Sequence, residues 1–193
     1  MKNIFYFLVF GLLWASCSNH KAKDEPLPSD SIFHLQSNWQ TQDNKTIKLA
    51  DLKGKTLVVV MIYTSCKAAC PILVGNMKKI AAKIGEGDLK ETSLVLVTID
   101  PKNDTPERLK EFSISNNMSD SHWTFLRGDE ASTHEFANVL SMKYKEISPI
   151  DFSHSNIITI FNPQGHMESQ EEGLDINIEA VAKKVKEVVK KSS

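Results

Sequence analysis

The chain has 193 residues, of which 41% are apolar and 24% are charged, and its formal net charge is −1. This composition excludes wholesale disorder and is sufficient for one domain with a hydrophobic core. The near-neutral charge and the lack of a basic run interleaved with aromatic residues argue against nucleic acid as a partner.

The N-terminus has the layout of an export signal. Lys2 precedes an apolar run over 4–13, which is shorter than the ~20 residues that span a membrane as a helix. Small residues and a cysteine follow this run. We therefore predict a signal peptide over 1–16.

Cys17 follows a pair of small residues, and this arrangement resembles bacterial lipoprotein signals, in which the cysteine after the cut carries lipid. Trp14 is a departure, because such signals usually have leucine there. We expect a lipid on Cys17 and a flexible polar tether over 17–30. The prediction is an exported, membrane-anchored bacterial lipoprotein facing the periplasm or the cell exterior. Simple secretion and an uncleaved anchor remain alternatives.

The remaining residues, 31–193, predict one α/β domain with a central, partly parallel sheet. Apolar and mostly β-branched runs at 56–62, 93–99 and 156–161 predict strands buried on both faces. The other predicted elements are, in chain order, a hairpin of 33–39 and 45–49, a helix over 71–84, a helix from a Thr105 cap to about 116, a short strand at 123–126, a helix over 132–142, an edge strand after 165 and an amphipathic helix over 175–191.

Two of the three cysteines, Cys66 and Cys70, lie between a predicted buried strand and the next helix. Ligands of open α/β sheets bind at this edge. Amide donors of the helix N-terminus and the neighbouring Lys67 would both favour thiolate. A disulfide would close too short a loop to stabilise the domain much, so chemistry is the better interpretation of the pair.

The spacing of the pair suits a metal somewhat better than a permanent bridge. Side chains four residues apart on a helix have Cβ atoms about 5–6 Å apart, whereas a disulfide needs about 3.5–4.5 Å. A third ligand is then required from elsewhere. His154, one of six histidines, directly precedes the third buried strand. It would reach the cysteines if that strand neighboured 56–62, which the residues alone leave open.

Three motifs occur in a fixed order: Tyr63-Thr64-x-Cys66-x-x-x-Cys70-Pro71, Asp100-Pro101-x-x-Asp104-Thr105-Pro106 and His154-Ser155. In order and spacing they resemble the Sco/SenC family over about residues 33–190. The resemblance implies a thioredoxin-like fold. Together with the pattern above, we expect a central mixed sheet flanked by helices, with the N-terminal β-hairpin. It also implies one copper ion bound by Cys66, Cys70 and His154.

Two departures from the family pattern accompany this resemblance. Family members often have proline where this chain has Lys67, and many have an acidic residue where it has Asn162.

Two thiolates and an imidazole suit Cu(I) and also hold Cu(II). Zinc remains a rival, because two cysteines, one histidine and a water form an acceptable zinc site.

The expected function is that of a copper metallochaperone rather than an enzyme. The resemblance implies that the partner is the copper-centre subunit of cytochrome c oxidase or another copper-receiving protein. The alternative is a membrane-anchored thiol–disulfide oxidoreductase that uses Cys66 and Cys70 as a redox pair. A peroxidase is the weakest hypothesis, because the chain has few arginines to support one.

Three further residues of these motifs have other expected roles. Asp100 follows a predicted strand and either orients a ligand or only forms a turn. Asp104 is interpreted as part of the helix start at Thr105. Tyr63 is expected to have a structural role. His34, His122, His134 and His166 are expected to be surface or structural residues.

Overall fold

A computed structural model describes residues 26–149 and 151–192. Among these residues no helix has the length and apolar character needed to cross a membrane. The predicted signal peptide and Cys17 lie outside the described residues.

The described residues contain nine strands in two sheets. The strand bounds are β1 Asn38–Thr41, β2 Thr46–Lys48, β3 Thr56–Ile62, β4 Thr92–Thr98, β5 Trp123–Arg127, β6 Tyr144–Ser148, β7 Asp151–His154, β8 Ile157–Phe161 and β9 Met167–Glu172. Seven of them form a mixed sheet with the order β2-β1-β5-β4-β3-β8-β9. The central strands β3, β4 and β5 are parallel to one another, whereas β8 is antiparallel to β3. The other two, β6 and β7, pair only with each other as a separate hairpin.

Helices flank this sheet and close its core. The helix bounds are α1 Ala69–Ile84, α2 Glu86–Leu89, α3 Pro106–Ser115, α4 Glu130–Val139 and α5 Ile178–Ser192. Helix α1 contacts α5, α5 contacts β3, and α3 contacts β5. The predicted α/β class is therefore confirmed.

The three apolar runs are the buried centre of the sheet. Every residue of β3, β4 and β8 is buried, as a strand covered on both faces requires. The apolar pattern does not encode strand direction, because burial on both faces looks the same in parallel and antiparallel neighbours. The antiparallel placement of β8 is therefore a finding of the structure.

Several predicted boundaries differ from those observed. The N-terminal hairpin is present, but its strands are shorter, because residues Ile32–His34 form a 3-10 turn capped by the Ser31 hydroxyl. Helix α1 begins at Ala69 rather than at 71, and α4 begins at Glu130 because the Asp129 side chain caps it. The prediction that Thr105 caps α3 is confirmed by its bond from the Arg108 amide.

Candidate metal centre

The cysteine loop begins where β3 leaves the sheet. Tyr63 follows the last residue of β3, and its carbonyl accepts a hydrogen bond from the Cys66 amide at 3.3 Å. Helix α1 starts at Ala69, so Cys70 lies in its first turn and the following proline occupies a position that tolerates it. Cys66 is half-buried, whereas Cys70 is only 1% exposed.

The antiparallel pairing of β8 with β3 brings the histidine to the same edge. Val60 of β3 pairs with Ile158 of β8, so β8 begins where β3 ends. His154 is the last residue of β7 and lies just before β8. The third buried strand therefore does neighbour the strand at 56–62, which is what His154 needs in order to reach the cysteines.

The ligand atoms of Cys66, Cys70 and His154 lie within 4.8 Å of one another. The Cys70 sulfur is 3.9 Å from Nε2 of His154. Metal bonds of about 2.3 Å to sulfur and 2.0 Å to nitrogen place ligand atoms about 3.7–4.0 Å apart around a three-coordinate ion. Small side-chain movements therefore suffice for the three residues to bind one metal ion.

The histidine ring is already oriented for this role. Its Nδ1 lies 3.0 Å from the Ser155 carbonyl, and a carbonyl can only accept a hydrogen bond, so Nδ1 carries the proton. In that tautomer of the neutral ring Nε2 carries the lone pair, and it faces the Cys70 sulfur. A second partner that fixes the tautomer of a ligating histidine is typical of metal sites.

The two thiols have opposite electrostatic environments. Burial acts to raise the pKa of Cys66, but hydrogen bonds from the amides of Cys70 and Ala68, from the Cys70 thiol and from the Tyr63 hydroxyl together lower that pKa below its ordinary value. Burial raises the pKa of the Cys70 thiol, and its interaction with Cys66 adds to the increase. Lys67, which the sequence suggested as a contributor, is exposed, and water screens its charge.

Asp104 fastens the cysteine loop to the sheet, a role that sequence reasoning missed. Its carboxylate is fully buried and accepts bonds from the amide and hydroxyl of Thr64 and from the hydroxyl of Thr98. Arg108 donates to the Thr64 hydroxyl at 2.8 Å and lies 3.8 Å from Asp104. The sequence did contain a signal for this role, because Thr64 lies just after β3 and Thr98 ends the adjacent strand β4. The helix-start interpretation of Asp104 was therefore incomplete.

Asp100 belongs to a turn rather than to the ligand set. It accepts hydrogen bonds from the amide and side chain of Asn103, and Asn103 also donates to the Pro149 carbonyl. Of the alternatives that the sequence left open, the turn role fits these contacts. Tyr63 packs beneath the site, as expected, with only 2% of its surface exposed.

The other described histidines lie outside the ligand group, as expected. Among the described residues, the metal-capable cluster contains Cys66, Cys70 and His154 and no fourth cysteine, histidine or carboxylate. His166 pairs with Asp30, and His134 stacks on Tyr144. Zinc would need a water molecule to complete four-coordination here, whereas three ligands with two sulfurs are a complete set for Cu(I).

The SCO1/SenC family model matches residues 30–190 of the chain. The chain belongs to the SCO1/SenC family. The SCO1 protein homolog of Bacillus subtilis is 31% identical over 138 residues, which cover 71% of this chain and 68% of that protein. The predicted family membership is thus confirmed.

Solved structures agree with this assignment. The copper-bound ScoI of Bradyrhizobium japonicum superimposes with a TM-score of 0.67 at 23% identity, over 79% of this chain and 96% of that one. BsSco, a member of the Sco family of cytochrome c oxidase assembly proteins with a disulfide switch, gives a TM-score of 0.68 at 25% identity, over 79% and 91%. The thioredoxin-like fold expected for this family member is thereby confirmed.

Proposed function

We propose that this family member binds one copper ion through Cys66, Cys70 and His154 and passes it to a copper-receiving protein. The observation that carries the proposal is the convergence of three ligand atoms within 4.8 Å. Two thiolates and one imidazole form a soft donor set that selects Cu(I) and also holds Cu(II). Copper is cargo in this role, so the protein is a carrier rather than an enzyme.

The burial of the ligands supports transfer of the ion. Cys70 is buried, but Cys66 and His154 are half-buried at the surface. An acceptor's thiol or imidazole can therefore approach from the exposed side and replace the ligands one after another. Because copper is bound in the B. japonicum relative and BsSco belongs to oxidase assembly proteins, we propose the copper-centre subunit of cytochrome c oxidase as recipient.

The proposed location follows from the N-terminal sequence. Residues 1–16 are removed as a signal peptide, Cys17 carries lipid, 17–30 form the tether, and 31–193 form the domain that faces the periplasm or the cell exterior. Mass spectrometry of the full chain extracted from membranes tests this: we expect a chain that begins at Cys17 and carries the added mass of acyl groups. A chain with 1–16 still attached and no acyl mass would favour an uncleaved anchor instead.

Anaerobic titration of the reduced full chain with Cu(I), in detergent and against a competing chelator, tests the ligand set. We expect one tightly bound ion per chain. Cys66→Ser should abolish tight binding, and His154→Ala should weaken it about tenfold or more, because each ligand contributes a sizeable part of the binding free energy. Binding that is unchanged in His154→Ala would contradict the proposed third ligand.

The asymmetry of the two thiols favours a second candidate function, thiol–disulfide exchange. Cys66 is the more exposed thiol and has the lowered pKa, whereas Cys70 is buried and has the raised one. An exposed thiolate with a buried partner suits attack on a disulfide.

The exchange reaction balances with a partner disulfide as the oxidant. The Cys66 thiolate attacks that disulfide and forms a mixed disulfide, and the first partner sulfur leaves as a thiolate. Cys70 then attacks the Cys66 sulfur, and the second partner sulfur leaves and takes up the Cys70 proton. The chain ends as a Cys66–Cys70 disulfide, which an external dithiol must reduce. Rapid cycling of this disulfide without specific copper binding would favour exchange over copper delivery.

A further inference from the structure

His154 is carried by an arm that lies outside the main sheet. Among the described strands, β6 and β7 pair only with each other, and His154 ends β7 opposite Tyr144 of β6. The hydrogen bonds of the seven-stranded sheet therefore do not fix the position of the imidazole ring. Side-chain contacts between the arm and the rest of the domain must do so.

Tyr63 makes the central contact between this arm and the cysteine loop. Its hydroxyl donates to the Asp151 carboxylate with an oxygen–oxygen distance of 2.6 Å. The Phe152 amide lies 3.4 Å from the same hydroxyl oxygen. The tyrosine ring packs edge-on against Phe152, at 5.2 Å between centroids, and against His154, at 5.9 Å. Its backbone carbonyl meanwhile accepts from Cys66, so one residue contacts both halves of the ligand set.

The hydrogen bond between Tyr63 and Asp151 is strong for its kind. A hydroxyl that donates to a carboxylate forms a charge-assisted bond, which is about twice as strong as a neutral one. Asp151 is the first residue of β7, and His154 is the last. The bond holds one end of this short strand at Asp151, and the tyrosine ring packs against His154 at the other end. Together these contacts restrict how far the imidazole can move. A phenylalanine at position 63 would retain the ring contacts but lose this bond, together with the hydrogen bond between the Tyr63 hydroxyl and the Cys66 side chain. Asp151→Ala removes only the bond to the arm.

We propose that the Tyr63–Asp151 hydrogen bond is a latch that keeps His154 beside the two thiols and slows release of the metal. The inference rests on the copper-binding function proposed above and makes Tyr63 a positioning residue, not a ligand. Opening of the latch lets the arm carry His154 away, while the ion stays on the two sulfurs that an acceptor must then replace.

The first test compares release of Cu(I) to an excess of chelator under anaerobic conditions. Tyr63→Phe and Asp151→Ala should each weaken Cu(I) binding about tenfold, mainly through faster release, as is typical for partners that orient a ligand. Asp151→Asn should restore most of the affinity, since its amide oxygen still accepts from the tyrosine. Tyr144→Phe is the matched control. It removes a hydroxyl from the same arm but keeps the ring that stacks on His134.

Combined variants separate the latch from a general structural effect. The double variant Tyr63→Phe/Asp151→Ala should bind Cu(I) no more weakly than Tyr63→Phe alone, because Tyr63→Phe already breaks the bond to Asp151. In a His154→Ala background, Asp151→Ala should leave Cu(I) affinity within about twofold. An equal loss from Asp151→Ala with and without His154 would overturn the proposal. The proposal would also fail if His154→Ala weakened binding but Asp151→Ala released Cu(I) at the normal rate.

Amide hydrogen exchange of the metal-free protein tests the latch independently of copper. Tyr63→Phe should accelerate exchange in 151–154 about tenfold, since local opening becomes easier, and leave exchange in 56–62 unchanged. This readout separates the two proposals: if the unaltered chain binds no copper, the proposed function fails, yet faster exchange would still establish the contact. Unchanged exchange in 151–154 would contradict the latch.

Discussion

The two parts of the candidate metal centre are held in different ways. The cysteine loop connects two elements of the buried core, β3 and α1, and the buried Asp104 carboxylate ties it to β4. The β6–β7 arm that carries His154 consists of exposed and half-buried residues and lacks main-sheet pairing among the described strands. The two thiols are therefore held by the core of the domain, whereas the imidazole depends on the side-chain contacts of the arm.

This division suits a carrier. A site with all ligands held rigidly would bind its ion tightly and release it slowly, because no ligand could leave without disrupting the core. Placing one ligand on a weakly held element provides a first step for release at low cost in stability.

The largest expected effect is on local opening. Amide exchange should be slower in β3 than in β6 by about three orders of magnitude, because β3 opens only with the whole domain, whereas the arm opens locally. Hydrogen exchange followed by mass spectrometry of the metal-free protein measures this. Similar protection of β3 and β6 would remove the distinction between a fixed and a movable part.

The next effect concerns the fastening of the cysteine loop. Asp104→Ala should lower the free energy of unfolding by about 3 kcal/mol, because it leaves buried donors of Thr64 and Thr98 without an acceptor. Urea denaturation measures the loss. Asp43→Ala is the control, since Asp43 also pairs with a cation but is exposed, and we expect a change within about 1 kcal/mol. A small loss in Asp104→Ala would mean that the loop is held by α1 alone.

The smallest effect is a pH dependence within the cysteine pair. Alkylation requires thiolate, so a lowered pKa moves the rise in rate to lower pH, and a raised pKa moves it to higher pH. Cys66 should therefore react at least about tenfold faster than Cys70 at pH 7, and its rate should rise below the pH expected for a free thiol.

Mass mapping of alkylated peptides across pH distinguishes the two thiols. In Lys67→Ala the pH profile of Cys66 should move by less than about half a unit, because an exposed cation is screened. A larger movement would mean that Lys67, rather than the amides at the start of α1, sets the pKa of Cys66.

Much of the fold could be predicted from local pattern. Strong periodic or capping signals mark the three buried strands, the Thr105 cap and the C-terminal amphipathic helix. The structure contains each of these features. The β6–β7 arm was missed because its strands are short, half-exposed and separated by a proline-containing turn. Such segments bury too little apolar surface to leave a period in the sequence.

The sequence by itself determined the chemistry of the candidate site: two cysteines at the end of a buried strand, with His154 singled out by resemblance to a family. The tertiary structure decided whether these groups meet. The antiparallel pairing of β8 with β3 brings His154 to the cysteines, and Asp104 and Tyr63 acquire their roles only through partners 40 and 88 residues away along the chain. Local sequence encodes burial and helix ends, but contacts at such separations depend on how the whole sheet is ordered.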